Sequence, residues 1–179
     1  MTHRTRSMSR LPRLVGGGAA LVFAAALAGC SSGSVSIGET ATVTLPAKIA
    51  GNDDQDFAVT VASLDAAPDE VTAQIGGDDD VYFASIEFAY EGDATAEVLA
   101  LPWNNVFAEL SDGSFLETSF IGLTECTGTP DDPTTAAEDL VGGETITVCV
   151  PLSSTDGLEV TGVSVGGSDV GAGGTVWKR

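Results

Sequence analysis

Beyond residue 30 the chain has no histidine, no methionine and only three basic residues, Lys48, Lys178 and Arg179. Its one histidine, His3, and both methionines, Met1 and Met8, lie before that point. Without imidazole, that stretch cannot form a Ser-His-Asp triad, a Cys-His dyad or a histidine-ligated zinc site. All 26 acidic residues fall in it, and with three basic ones the net charge there is −23. A surface this acidic repels phosphate backbones, so nucleic acid is excluded as a partner. Aromatic residues are few, with 2 Trp, 2 Tyr and 7 Phe, and most fall at positions that read as strand faces. Nothing after residue 30 is apolar over the roughly 20 residues a spanning helix needs.

The N-terminus has what the remainder lacks. Arg4, Arg6, Arg10 and Arg13 form a basic leader, and Leu14 to Ala28 is an apolar run rich in Ala and Gly. The run has the length of a signal h-region and is short for a membrane span. It ends Leu27-Ala28-Gly29-Cys30, the pattern of a lipobox. A signal peptidase needs small side chains beside its cut, and the thiol must be open to the lipid donor. The plain alternative is an ordinary signal peptide with an incidental cysteine. The residues after Cys30, Ser-Ser-Gly-Ser, suit a flexible polar tether. Residues 1–29 therefore read as a lipoprotein signal peptide, 30–38 as lipidated cysteine and tether, and 39–179 as one domain. About 150 residues remain after cleavage, enough for a sizeable core.

With Cys30 assigned to lipid, Cys126 and Cys149 are left, and two thiols in an oxidising compartment are expected to pair. The alternative is two buried free thiols.

Strand signals dominate the domain. Thr40 to Leu45 alternates Thr with apolar residues. Phe57 to Leu64 puts Phe57, Val59 and Val61 on one face. In Val81 to Tyr90, Tyr82, Ala84, Ile86, Phe88 and Tyr90 share a face, opposite Ser85 and Glu87. Further strands are expected at Ala94–Leu101, Val106–Leu110, Phe115–Phe120, Thr145–Val150, Leu158–Val165 and Thr175–Trp177. Asp112-Gly113 predicts a β-hairpin turn between two of them. Ile146, Val148 and Val150 share a face, so Cys149 belongs to the other, and its disulfide should lie outside the core. Thr135-Ala-Ala-Glu138 fits a capping box opening one or two helical turns, stopped by Gly142 and Gly143. An irregular loop is the alternative. Short strands separated by Gly, Pro, Asp and Ser turns imply an all-β, antiparallel sandwich or barrel.

Four segments carry a resemblance. They are Phe57-Ala-Val-Thr-Val-Ala-Ser-Leu64; Tyr82 to Tyr90 followed by Glu91-Gly92-Asp93; Val106-Phe-Ala-Glu-Leu-Ser-Asp-Gly113; and Gly143-Glu-Thr-Ile-Thr-Val-Cys-Val-Pro151. Over roughly residues 38–166 the chain resembles the secreted immunoglobulin-like domains of Gram-positive lipoproteins, a family without an established function. A secreted mycobacterial antigen is a fold relative of that family. The long central strand here ends in Glu91-Gly92, where the family commonly has an Asn. The resemblance implies an immunoglobulin-like β-sandwich at the cell surface and no catalytic residues.

Two acidic clusters precede strands: Asp53, Asp54 and Asp56, and then Asp78, Asp79 and Asp80. Calcium prefers several carboxylate and carbonyl oxygens on a loop. Gathered at one end of the sandwich, the clusters could share an ion; otherwise they are solvated charge. Trp103 is the candidate for an exposed contact, or else a rim residue capping the core. The Gly-rich stretch from Gly166 to Gly174 lacks the Lys and the helix of a phosphate loop. The expectation is thus a non-enzymatic, lipid-anchored interaction module on the extracytoplasmic face of the cell membrane. No cofactor is implied, and the partners are the membrane and an envelope protein or ligand. The competing readings are a calcium-dependent adhesive module and a carboxylate-based surface hydrolase.

Overall fold

The computed structural model describes residues 34–49, 52–75, 80–118, 125–167 and 173–179. In chain order the elements are β1 (Val35–Ser36), β2 (Thr40–Leu45), β3 (Gln55–Ala66), α1 (Asp69–Ile75) and β4 (Val81–Tyr90). After these come a 3-10 turn (Pro102–Asn105), β5 (Val106–Leu110), β6 (Phe115–Glu117), α2 (Pro133–Val141), β7 (Thr145–Ser153), β8 (Val160–Val165) and β9 (Thr175–Lys178).

The strands form two sheets, one in the order β2-β3-β4-β7 and one in the order β1-β9-β8-β5-β6. Every pairing is antiparallel except β1 with β9, which is parallel. Period-2 patterning explains why the sheets stack. Phe57, Val59, Ile86, Phe88 and Val150 from the first sheet meet Val106, Ala108, Val163, Val165 and Trp177 from the second in one buried cluster. The result is an all-β, sandwich-like domain.

β3 adds a detail. Its register against β4 shifts between Val61 and Ser63, so a bulge falls at Ala62. A bulge adds one residue and inverts the parity of the strand beyond it. That is why Phe57, Val59 and Val61 are buried at odd positions and Leu64 at an even one.

The turn between β5 and β6 is the expected hairpin. Gly113 sits at φ +83°, and the Asp112 carboxylate accepts both the backbone N–H and the hydroxyl of Ser114. β6 ends at Glu117; the rest of the expected strand, 119–120, lies outside the described residues. Val35–Ser36, read from sequence as tether, pairs instead with Trp177 and Lys178.

The strand expected at Ala94–Leu101 does not form. Gln55, buried at the start of β3, takes the hydrogen bonds a partner strand would have made. Its amide nitrogen donates to the carbonyl of Val98 at 2.9 Å, and its amide oxygen accepts from the N–H of Ala100 at 2.9 Å. With those groups satisfied by a side chain, the segment stays irregular while burying Leu99.

The helix α2 begins earlier than the capping-box reading. Its N-cap is Asp132, whose carboxylate accepts from the N–H of Thr134 and the hydroxyl of Thr135, both at 2.9 Å. Pro133 fixes this start, since proline suits the first helical position. Thr135 therefore donates to the cap and is not the cap. Those two bonds favour the carboxylate and hold Asp132 below its ordinary pKa. α1 has no clear signal in the sequence; it buries Val71.

The face assigned to β4 holds: Ile86 and Phe88 are fully buried, Tyr82 half-buried, and Glu87 exposed. Phe88→Ala is expected to cost about 3–5 kcal/mol, because it loses apolar transfer energy and leaves a cavity. Glu87→Ala, one residue away, should change stability by roughly 0.5 kcal/mol or less. Denaturant melts of both variants check the pair of outcomes.

Candidate functional site

Strand directions fix two ends of the sandwich. β2 and β4 run down to Leu45 and Tyr90; β3, β7 and β9 run up from Gln55, Thr145 and Thr175. β1, parallel to β9, also runs up from the lower side. Val35 pairs with Trp177, which is level with Val163 and Ala108, so β1 joins its sheet about midway between the two ends; Cys30 lies outside the described residues.

Asp53, Asp54 and Asp56 lie toward one end of the sandwich and Asp80 at the other. Asp56 pairs with Thr44 near the bottom of β2, and Asp53 and Asp54 lead into the same strand as Asp56. Asp80 precedes Val81 at the top, where its N–H donates to the hydroxyl of Ser154 at 2.7 Å. β4 has 10 residues, so Asp56 and Asp80 stand about 30 Å apart. One ion cannot bridge that gap. Asp78 and Asp79 lie outside the described residues, and among the described residues no group of three or more His, Cys, Asp or Glu side chains could hold a metal. Instead Asp56 accepts the hydroxyl of Thr44 at 2.6 Å.

Cys126 and Cys149 form a disulfide with Cα atoms 5.3 Å apart. Cys149 is half-buried on β7, an edge strand, with Val148 and Val150 facing the core on either side. The bond thus stays outside the core, as the parity of the strand requires. The chain it closes contains α2, which places Ala136, Ala137 and Leu140 in the core cluster. Thr129 adds a hydroxyl bond to the carbonyl of Cys149 at 3.2 Å.

Trp103 is buried, as the core-capping reading has it and not as an exposed contact. Its ring centroid lies 6.3 Å from that of Phe88. The 3-10 turn after Leu101 swings it inward under the irregular 94–101 segment, an arrangement its sequence neighbours do not signal.

One polar group escapes a reading of the sequence. Glu109 sits on β5, where all five residues are buried, so polar alternation gives no warning of its position. Its Oε1 accepts from the Lys178 ammonium at 2.8 Å. Its Oε2 is buried with no hydrogen-bond partner. That oxygen rests over Gly162, where a Cβ would lie 2.8 Å from it and 2.6 Å from the carbonyl of Trp177. Gly162 thus provides the space that the carboxylate occupies. Among the described residues no helix is long and apolar enough to cross a membrane.

Substitutions at the two cross-links test these contacts. Cys149→Ala should cost about 2–4 kcal/mol in a denaturant melt, the entropy of releasing a loop of this size. Lys178→Leu should cost about 1–3 kcal/mol, because it leaves the Glu109 carboxylate buried and unpaired. Replacing both partners, Glu109→Leu with Lys178→Leu, should cost less than Lys178→Leu alone. Three comparisons, with protein-family models, with curated proteins and with solved structures, find no match to this chain.

Proposed function

We propose that this chain is a lipid-anchored, extracytoplasmic domain with no catalytic role, holding an immunoglobulin-like sandwich at the outer face of the cell membrane as an interaction module. The observation that carries the reading is the spacing at the N-terminus. A basic leader and an apolar run end in Leu27-Ala28-Gly29-Cys30, and the first strand begins only five residues later, at Val35. Small residues before Cys30 suit cleavage there, and acyl chains on its thiol would hold the domain close to the membrane.

Other features support it. A disulfide suits a compartment outside the cytoplasm. Strand order supports the immunoglobulin-like reading. β9, β8 and β5 lie side by side in one sheet, β4 pairs with β7 in the other, and the chain crosses between sheets from β4 to β5, from β6 to β7 and from β7 to β8. The β2–β3 hairpin is an addition at the edge of that arrangement. Asp56 and Asp80 stand too far apart to share the ion of a calcium-dependent adhesive module.

Replacing Cys30 with Ser tests the anchor. The variant should move from the membrane fraction to the soluble fraction, because acyl chains provide the attachment. A Cys30→Ser protein that stays with the membrane at normal yield contradicts the proposal.

A further inference from the structure

We infer that the outer edge of β2 is a strand-pairing site, and that its occupant is an extended peptide segment alternating basic and apolar residues. This rests on the interaction module proposed above and gives it a binding surface.

Among the described residues the two sheets have four edges, and they are not alike. A strand edge presents unpaired N–H and C=O groups, and proteins blunt it by shortness, proline, charge, bulges or a covering segment. In the five-stranded sheet the edges are β1 and β6, with 2 and 3 residues. In the other sheet β7 is blunted twice. Pro151 within it has no N–H to offer, and the disulfide pins Cys126 and the chain after it alongside. Gly128 packs there on the β7 backbone, where a Cβ would lie 3.2 Å from the carbonyl of Thr147, and Thr129 donates to the carbonyl of Cys149.

β2 carries none of these devices. Its 6 residues, Thr-Ala-Thr-Val-Thr-Leu, include no proline and no charge, and its register with β3 runs without a bulge. Among the described residues β3 is its one neighbour in the sheet, and no loop backbone bonds to it. Gly166 meets it from the core side, against the side chains of Val43 and Leu45. A long, regular edge is thus left open where the others are short or covered.

Charge selects the occupant. Glu39 precedes β2, and the outer face beside it carries Asp56, Glu87 and Glu91, all exposed. β2, β3, β4 and β7 contain no Lys or Arg. The carboxylates of Asp56 and Glu91 reach the edge strand itself, accepting from Thr44 at 2.6 Å and Thr42 at 3.3 Å. A strand added about 4.8 Å beyond β2 would direct alternate side chains over this face, within reach for a lysine or arginine stem. Its other side chains would flank Ala41, Val43 and Leu45, which pack in the core cluster, so they are apolar. A second copy of the chain fits less well. Pairing β2 with β2 would bring the same carboxylates together on one face, along with two net charges of −23.

The test uses the full lipidated protein in neutral detergent micelles, with a synthetic peptide of about nine residues alternating Lys and Val as the probe. The peptide should bind saturably, slow amide exchange across Thr40–Leu45, and leave exchange in β7 unchanged. Two further versions carry methyl groups on alternate backbone nitrogens, one on each edge of the peptide. One of the two should bind about tenfold more weakly than the other, because only one edge donates to β2. A Glu-Val peptide should bind roughly tenfold more weakly than the Lys-Val one, and Asp56→Asn with Glu91→Gln should weaken the Lys-Val peptide by roughly threefold or more. No saturable binding, equal binding by the two methylated versions, or slowed exchange that spares β2 overturns the edge. Equal binding by the Lys-Val and Glu-Val peptides overturns a basic occupant. A dimer in sedimentation whose β2 amides are protected without peptide assigns the edge to a second copy and overturns the peptide. The Cys30→Ser fractionation decides the anchor separately, so the two failures are told apart.

Discussion

The rest of the structure hangs on β9. This four-residue strand lies between β1 and β8, pairing in parallel with one and antiparallel with the other. Trp177 within it is fully buried, and its indole N–H reaches out of the core to the carbonyl of Glu39 at 2.9 Å. An indole supplies large apolar area and one donor that must be satisfied, and here both demands are met by segments distant in sequence. Arg179 extends the closure, donating to the carbonyl of Leu64 at 2.9 Å while its guanidinium lies 5.0 Å from the ring centre of Tyr82. The last residues of the chain thus hold its first strand in place. That first strand is the point from which any anchor must pull.

Charge is the second constraint. A net charge of −23 beyond residue 30 acts against compaction through self-repulsion. The chain meets this with few cations and several hydroxyls. Thr44 donates to Asp56, Thr42 donates to Glu91, and the acids at 112 and 132 are held by neighbouring Ser and Thr. Two of the three available cations are used at the C-terminus, Lys178 on Glu109 and Arg179 on Leu64 and Tyr82. The outer faces are left to carboxylates and threonines, which keep the surface well hydrated.

Period and punctuation account for the parts that sequence reveals. The alternating or apolar pattern bounds β2, β4 and β5, and Asp112-Gly113 marks the hairpin. The outward position of Cys149 comes from parity alone. The parts that escape have a tertiary cause. The 94–101 segment has a strand-like composition, but Gln55 occupies its backbone groups from across the domain. α1 has only 7 residues, too short a stretch to leave a clear helical period to detect. The N-cap of α2 lies three residues upstream of the capping-box pattern because Pro133 sets the start. Glu109 is hidden by the complete burial of its strand, and its partner Lys178 is distant in sequence, on the last strand. The acidic clusters are legible as clusters; the distance between Asp56 and Asp80 is set by the length of β4.

Every functional consequence drawn from this fold depends on the chemical state of Cys30. The apolar run before it, the short span after it and the fastened β1 act together only if that thiol carries lipid. Intact-mass spectrometry of the protein extracted from its native membrane reads this directly. The expected result is a mature chain whose first residue is Cys30, heavier than its sequence by a diacylglyceryl group. A mature chain that begins at another residue, or begins at Cys30 with an unmodified thiol, would contradict it.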